Sequence, residues 1–154
     1  MPMDPDVVRA HYLAMVPMPA TLGIEFRELD LQRCVMVLPD VEAYRNHVGG
    51  PHAGAMWPLA ESASGALVMA SFGDLLDEIT PFPTESTIRF LKVAQGPVTA
   101  VAVLGSEAAD AVATMRAGTR PEFPVTIELS TGEGDDRLVT GEMTVTWTLK
   151  LNRR

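Results

Sequence analysis

Cysteine is almost missing from this chain: Cys34 is the only one in 154 residues. An intrachain disulfide and a cysteine-cluster metal site are thereby excluded, which suits a reducing compartment. Positive charge is also scarce, with 12 Lys and Arg against 20 Asp and Glu and a formal charge of −8. Nucleic acid would be repelled unless cations were locally clustered, and no such cluster occurs. Long apolar runs are absent as well. The most charge-poor stretch, Ala53 to Gly73, is broken by Pro58 and Glu61 and is rich in Ala, Ser and Gly, which makes it weakly hydrophobic for a membrane span. The opening MPMDPDVVRA carries acids and no apolar core, unlike a secretory signal. His47 and His52 lie five apart without a helical HExxH pattern, so no metal site is expected. These exclusions leave a cytoplasmic protein with neither nucleic-acid nor membrane partners. At this length the chain is expected to form one domain, 1–154, able to bury a real core.

What is present alternates between strand-like and helix-like segments. Asp4 followed by Pro5 reads as an N-cap with proline at the first helical position, and Val7, Val8, Tyr12 and Leu13 make a short amphipathic helix within 1–17, a clamp or lid that Pro17 stops. TLGIEFRELD and QRCVMVLP predict a first hairpin, with Cys34 as a small core residue. From Pro39 to Pro51 the chain is a loop. Residues 53–72 predict one long helix, followed by a loop rich in Asp, Pro and Phe. ESTIRFLKVA and VTAVAVLG, separated by GP, predict a second hairpin. SEAADAVATMRAG predicts a short helix closed by Gly118. In the final strands, Val125, Ile127 and Leu129 share one face, and Val145, Trp147, Leu149 and Leu151 oppose Thr144, Thr146, Thr148 and Lys150. The sum is an α+β fold, an antiparallel sheet curled around a long central helix. One sheet with one helix leaves a face or an edge uncovered, so a homodimer or a dimer of dimers is expected.

The 53–72 helix is apolar nearly all round, which places it inside the protein. Glu61 is the only ionisable residue between His52 and Asp74, so it belongs to no solvated stripe. A carboxylate buried there would have a raised pKa, favouring base chemistry near neutral pH.

The spacing of Asn46, His52, a small residue, Gly54 and then Glu61, nine positions after His52, resembles hotdog-fold acyl-CoA thioesterases of the phenylacetyl-CoA (PaaI-like) type, and in particular a thioesterase-like branch of unassigned substrate. The strand STIRFLKVAQG is similar to the one that follows the central helix in that family, and the element order agrees over roughly Thr21 to Leu151. The resemblance implies a hotdog fold and hydrolysis of an acyl-CoA or related thioester, with CoA as part of the substrate and no cofactor. It implies that Glu61 is general base or nucleophile, and that Asn46 holds the water or the carboxylate. His52 would fix the loop or touch the thioester, while Thr84, a looser match, would orient the water. Such sites lie between two subunits, so Glu61 of one copy would meet the helix start of the other.

Hydrolysis needs donors at the developing oxyanion, and the first-turn amides of Ala53 or Gly54 can supply them. Within one chain Glu61 lies about 12 Å along the axis from Ala53. CoA phosphates would need local cations, for which Arg89 and Lys92, or Arg116 and Arg120, are candidates. Met56 and Trp57 are expected in the core, with an acyl tunnel as their other reading. His52 as a plain helix cap and Asn46 as a plain turn residue are the simpler alternatives. Two other functions stay open. One is a non-catalytic acyl- or lipid-thioester-binding protein, since Ala53 puts a methyl where the family has glycine. The other is an enoyl-thioester hydratase, disfavoured by the spacing of His52 and Glu61.

Overall fold

A computed structural model describes residues 4–153. The Asp4 side chain accepts from the Asp6 N–H at 2.8 Å and starts α1 (Pro5–Met15). Residues 1–3 of the expected N-terminal element lie outside the described residues. A single turn, α2 (Met18–Thr21), follows Pro17. Thr21 was expected to open a strand; instead it closes this turn, and Gly23 at φ +68 redirects the chain so that β1 (Glu25–Leu29) begins later. The Asp30 carboxylate accepts the N–H groups of Gln32 and Arg33 at 2.7 Å and turns β1 into β2 (Arg33–Leu38), its antiparallel partner. Next come α3 (Ala53–Ser71), β3 (Ile79–Phe90), β4 (Val98–Leu104), α4 (Ala108–Arg116), β5 (Glu122–Thr131) and β6 (Leu138–Leu151). Gly118 closes α4 at φ +85.

All six strands form one antiparallel sheet in the order β1-β2-β4-β5-β6-β3. The predicted second hairpin is therefore corrected: β3 pairs with β6 along its length, Phe90 opposite Gly141, and β4 lies between β2 and β5. The residues read as a turn instead carry the chain across the end of the sheet, held where the N–H groups of Leu91 and Lys92 both reach the Thr140 carbonyl at 2.8 and 3.1 Å. The proline-rich loop is corrected as well, because Ile79 to Thr84 belong to β3. Pro81 and Pro83 are tolerated since β3 is an edge strand and needs ladder donors on one side only.

α3 packs chiefly against β2 and β4, with Leu59, Ala60, Ala63, Ala66, Leu67 and Val68 fully buried. The sheet curls so that both edges flank this helix, and α1 closes the gap between them. Tyr12 of α1 stacks edge-on with Phe26 of β1 at 6.1 Å and also lines a cavity walled by β3. Val8 and Tyr12 are buried, and the Arg9 guanidinium lies 5.5 Å from the Phe26 ring centroid, which seats the lid. Cys34 is buried in β2, and desolvation pushes its thiol up to about 12, so it packs as a small apolar group. Two expected core residues lie outside: Trp57 is 40% exposed, and Leu151, at the end of the β6 ladder, is 58% exposed. Thr148, expected on the solvent face, is buried because the segment before β5 covers it. Its hydroxyl donates to the Pro121 carbonyl at 2.6 Å and accepts from Arg120 Nε at 3.1 Å.

The loop before α3 docks on the segment after β3 at Gly50, where an added Cβ would lie 2.1 Å from the Ala94 carbonyl oxygen. Gly50→Ala is expected to lower stability by about 1–3 kcal/mol through overpacking, read from the shift of the urea unfolding midpoint.

Candidate active site

Two hollows meet the chemistry-bearing residues, one at the start of α3 and one two turns further along it. At the start, Asn46 organises its own loop. Its Oδ1 accepts from the N–H groups of Val48 (3.0 Å) and Gly50 (3.2 Å), and its Nδ2 donates to the Pro51 carbonyl (3.3 Å). Both ends of the side chain are thus engaged in shaping the turn. His52 is the N-cap: its Nδ1 accepts from the Gly54 N–H at 2.8 Å, and its carbonyl takes the amides of Ala55 and Met56. The Gly54 amide, one of two expected oxyanion donors, is therefore occupied. Among the described residues the Ala53 N–H has no acceptor, and Ala53 lines a groove of about 430 Å³ together with Asn46, Met56, Phe90, Lys92 and Ala94. The positive end of the helix dipole adds to this amide's pull on negative charge.

Glu61 lies in the second hollow, a cavity of about 370 Å³ between α3, the edge strand β3 and the lid α1. From Glu61 the helical stripe continues to Gly65 and Met69, the i+4 and i+8 positions. Tyr12 and Trp147 cover Gly65, where an added Cβ would stand 3.3 Å from the Tyr12 hydroxyl and 3.5 Å from the Trp147 ring. Trp147 Nε1 donates to Ser64 Oγ at 3.2 Å, and that hydroxyl donates to the Glu61 carbonyl at 2.8 Å, tying the turn that carries the carboxylate to β6. Burial raises the Glu61 pKa above its ordinary value. Burial first, and the Glu61 charge second, also raise that of Tyr12, against a hydrogen bond with Ser62, so the phenol keeps its proton.

Thr84 occupies the irregular position in β3 between Pro83 and Glu85, and its hydroxyl donates to the Thr146 carbonyl at 3.2 Å. Trp57 Nε1 donates to Ser86 Oγ at 3.2 Å, holding the start of α3 to β3, and Glu61 and Pro83 line the same cavity. Of the candidate cations, Lys92 shares the groove with Ala53. Arg89 is paired with Glu142 at 2.9 Å on the outer face of the sheet, Arg120 holds Thr148, and Arg116 ends α4 in solvent. Within one chain the structure thus groups Asn46, Ala53, Met56 and Lys92, with His52 capping the helix beside them, and sets Glu61 apart. Among the described residues no three His, Cys, Asp or Glu side chains cluster as metal ligands, and no helix is long and apolar enough to cross a membrane.

A family model described as a domain of unknown function, DUF4442, matches residues 5–149. The chain belongs to the DUF4442 family. No curated protein matches its sequence. Solved structures do match in shape. A Pseudomonas aeruginosa protein of unknown function, described as a probable thioesterase, superposes with a TM-score of 0.84 at 23% identity, over 99% of this chain and 99% of that one. A Chlorobaculum tepidum protein with unknown function gives 0.83 at 12% identity, over 96% of this chain and 94% of that one. A thioesterase family protein from Silicibacter pomeroyi gives 0.76 at 20% identity, over 94% and 96%. This DUF4442 chain has the hotdog fold, a six-stranded antiparallel sheet around one long helix.

Sequence reasoning missed the walls of the Glu61 cavity, namely Tyr12, Gly65, Met69, Ile79, Pro81 and Trp147. Gly65 and Met69 were findable from their spacing to Glu61; Tyr12 and the β3 prolines come from distant elements. The site also has a thermodynamic signature. Because the folded-state pKa of Glu61 lies above the unfolded one, the folded protein binds the extra proton between the two values. Stability therefore falls as pH rises through that window and stays lower above it. Glu61→Gln has no charge to desolvate, so at neutral pH it is expected to be more stable than the parent. The difference should vanish at about pH 3, where both forms are uncharged. Paired urea titrations at the two pH values check this.

Proposed function

We propose that this DUF4442 protein hydrolyses an acyl thioester with Glu61 as its base, in a homodimer whose sites each combine Glu61 of one copy with the α3 start of the other. The observation that carries the reading is the single carboxylate of α3, held in an apolar cavity with a raised pKa. Such an arrangement costs stability, and it suits a base working near neutrality. The hotdog fold shared with structures described as thioesterases supports the same class of chemistry.

In this reading a water oxygen attacks the thioester carbonyl carbon while Glu61 takes the water's proton. The carbonyl oxygen becomes an oxyanion facing the Ala53 N–H of the partner subunit. The C–S bond then breaks as the carbonyl re-forms, and Glu61 returns its proton to the departing thiolate. Lys92 borders the same groove as Ala53 and meets an anionic carrier such as the CoA phosphates. The second copy is supported by the free edge of β3 and by the apolar side chains left exposed on and after it: Phe82, Phe90, Leu91 and Val93. The rival without turnover, an acyl-thioester-binding protein, is favoured by the occupied Gly54 amide and the Ala53 methyl; thiol release from a panel of acyl-CoAs separates the two.

Glu61→Gln is expected to lower kcat by about 10²–10⁴, the usual worth of a general base. Ala53→Pro deletes only the free N–H, because proline fits a first helical position and His52, at φ −65 and ψ 141, already has the backbone that precedes proline. It should keep the fold and lower kcat by about 10²–10³. Mixing the two inactive variants tests the shared site: random heterodimers carry one intact pairing in two, so about one quarter of parental activity should return. No recovery after demonstrated subunit exchange would place both groups in one chain and defeat the proposal.

A further inference from the structure

The structure leaves one cavity whose occupant the chemistry at Glu61 does not itself specify. We infer that the hollow beneath α1 receives an unbranched aliphatic acyl chain of medium length, entering at Glu61 and ending beside Met69, so that this protein prefers saturated acyl thioesters of about eight carbons. The inference rests on the thioesterase reading and adds the substrate class to it.

The shape argument starts from the helix. Glu61, Gly65 and Met69 lie on one stripe of α3, and their span is about 12 Å at 1.5 Å per residue, close to the length of an extended chain of about eight to ten carbons. β3 runs antiparallel alongside, since the short connection from Ser71 to Ile79 joins them at one end and the Trp57–Ser86 hydrogen bond holds them at the other, so Pro83 lies toward Glu61 and Ile79 toward Met69. The hollow is thus a trough between helix and edge strand. Its roof is the C-terminal half of α1, through Tyr12, Met15 and Val16. The chemistry argument is the lining. Beyond Glu61 the walls are Met69, Leu76, Ile79, Pro81 and Trp147, all without charge, and the polar groups His11, Asp77 and Thr80 also border the hollow. An acyl chain laid there meets apolar surface from Met69, Leu76, Ile79, Pro81 and Trp147, and the Thr80 hydroxyl is already engaged with Asn152 Oδ1 at 2.6 Å.

At Gly65 the wall is closely packed: an added Cβ would stand 3.3 Å from the Tyr12 hydroxyl and 3.5 Å from the Trp147 ring, so a larger residue there would crowd both. Met69, half-buried and flexible, forms the far end and sets the length.

The test uses the full-length protein and a series of straight-chain acyl-CoAs from two to sixteen carbons, with benzoyl-CoA and phenylacetyl-CoA alongside. For the parent, kcat/KM is expected to rise about three- to four-fold per added methylene, the worth of one buried CH₂, and to stop rising near eight carbons. Met69→Ala should move that optimum to longer chains and Met69→Trp to shorter ones. A flat chain-length profile, a preference for the aromatic acyl groups, or an optimum that moves the same way in both variants would overturn the inference while leaving the hydrolase reading in place. Absence of thiol release from every substrate would instead count against the hydrolase reading. The cavity is then judged by calorimetry with S-octyl-CoA, a non-hydrolysable thioether: binding at least ten-fold weaker in Met69→Trp than in the parent supports it, and equal binding overturns it.

Discussion

The structure turns on a conflict within one helix. α3 is apolar nearly all round and can exist only inside the sheet, yet it carries an ionisable group midway along its length. Burying a carboxylate among apolar atoms is unfavourable unless partners compensate. Burial is the cause of the raised Glu61 pKa, and it is not offset by a charge partner. The molecule tolerates the cost by leaving a cavity at that point. Much of the remaining architecture follows from making that cavity possible: the sheet curls without fully covering the β3 side of the helix, Gly65 withdraws its side chain, and α1 rather than a strand closes the opening.

The loop before α3 solves a different problem. A helix N-terminus has amides without intrahelical partners, and here His52 satisfies most of them, through Nδ1 to Gly54 and through its carbonyl to Ala55 and Met56. Asn46 and Gly50 hold the loop in the shape that makes this possible. One donor is left over, at Ala53, a residue that lines a groove. A fully capped helix would have no anion-attracting end; a wholly uncapped one would fray. The arrangement concentrates the dipole's effect at a single backbone position.

The fold was legible where local pattern decides structure. The Asp4-Pro5 cap, the central helix, the first hairpin and the alternation of β5 all reflect spacing that survives into the folded state. Pairing across the sheet was not legible. GP between two strand-like runs carries the same local signal whether the strands meet or part, and the choice was made by distant partners: Thr140 receiving two amides, and Gly50 packing on Ala94. Proline misled for a related reason, since it forbids a central strand but not an edge one, and edge status is a property of the whole sheet. At the site, Glu61 stood out because no other charge shares its helix. The capping by His52 and the lid residue Tyr12 depended on side-chain direction and on an element some fifty residues away in sequence, about which spacing is silent.

The two hollows then impose a division of labour. In one chain residues 53 and 61 are separated by about 12 Å of rise along a rigid helix and line separate hollows, an arrangement unsuited to acting on one carbonyl group. The helix cannot bend to join them, so if both act on one bond, the second copy must supply one of them. An interface through the free edge of β3 would place that strand, which already walls the Glu61 cavity, beside the neighbouring copy. Substrate would then enter from two directions: its carrier through the groove beside Lys92 and Ala53 of one copy, and its acyl group into the trough of the other. Filling the trough with hydrocarbon displaces water from around Glu61 and strengthens the desolvation that already raises its pKa. The acyl group would therefore sharpen the base that acts on it, and the binding energy of its methylenes would help to offset the cost of keeping that carboxylate dry.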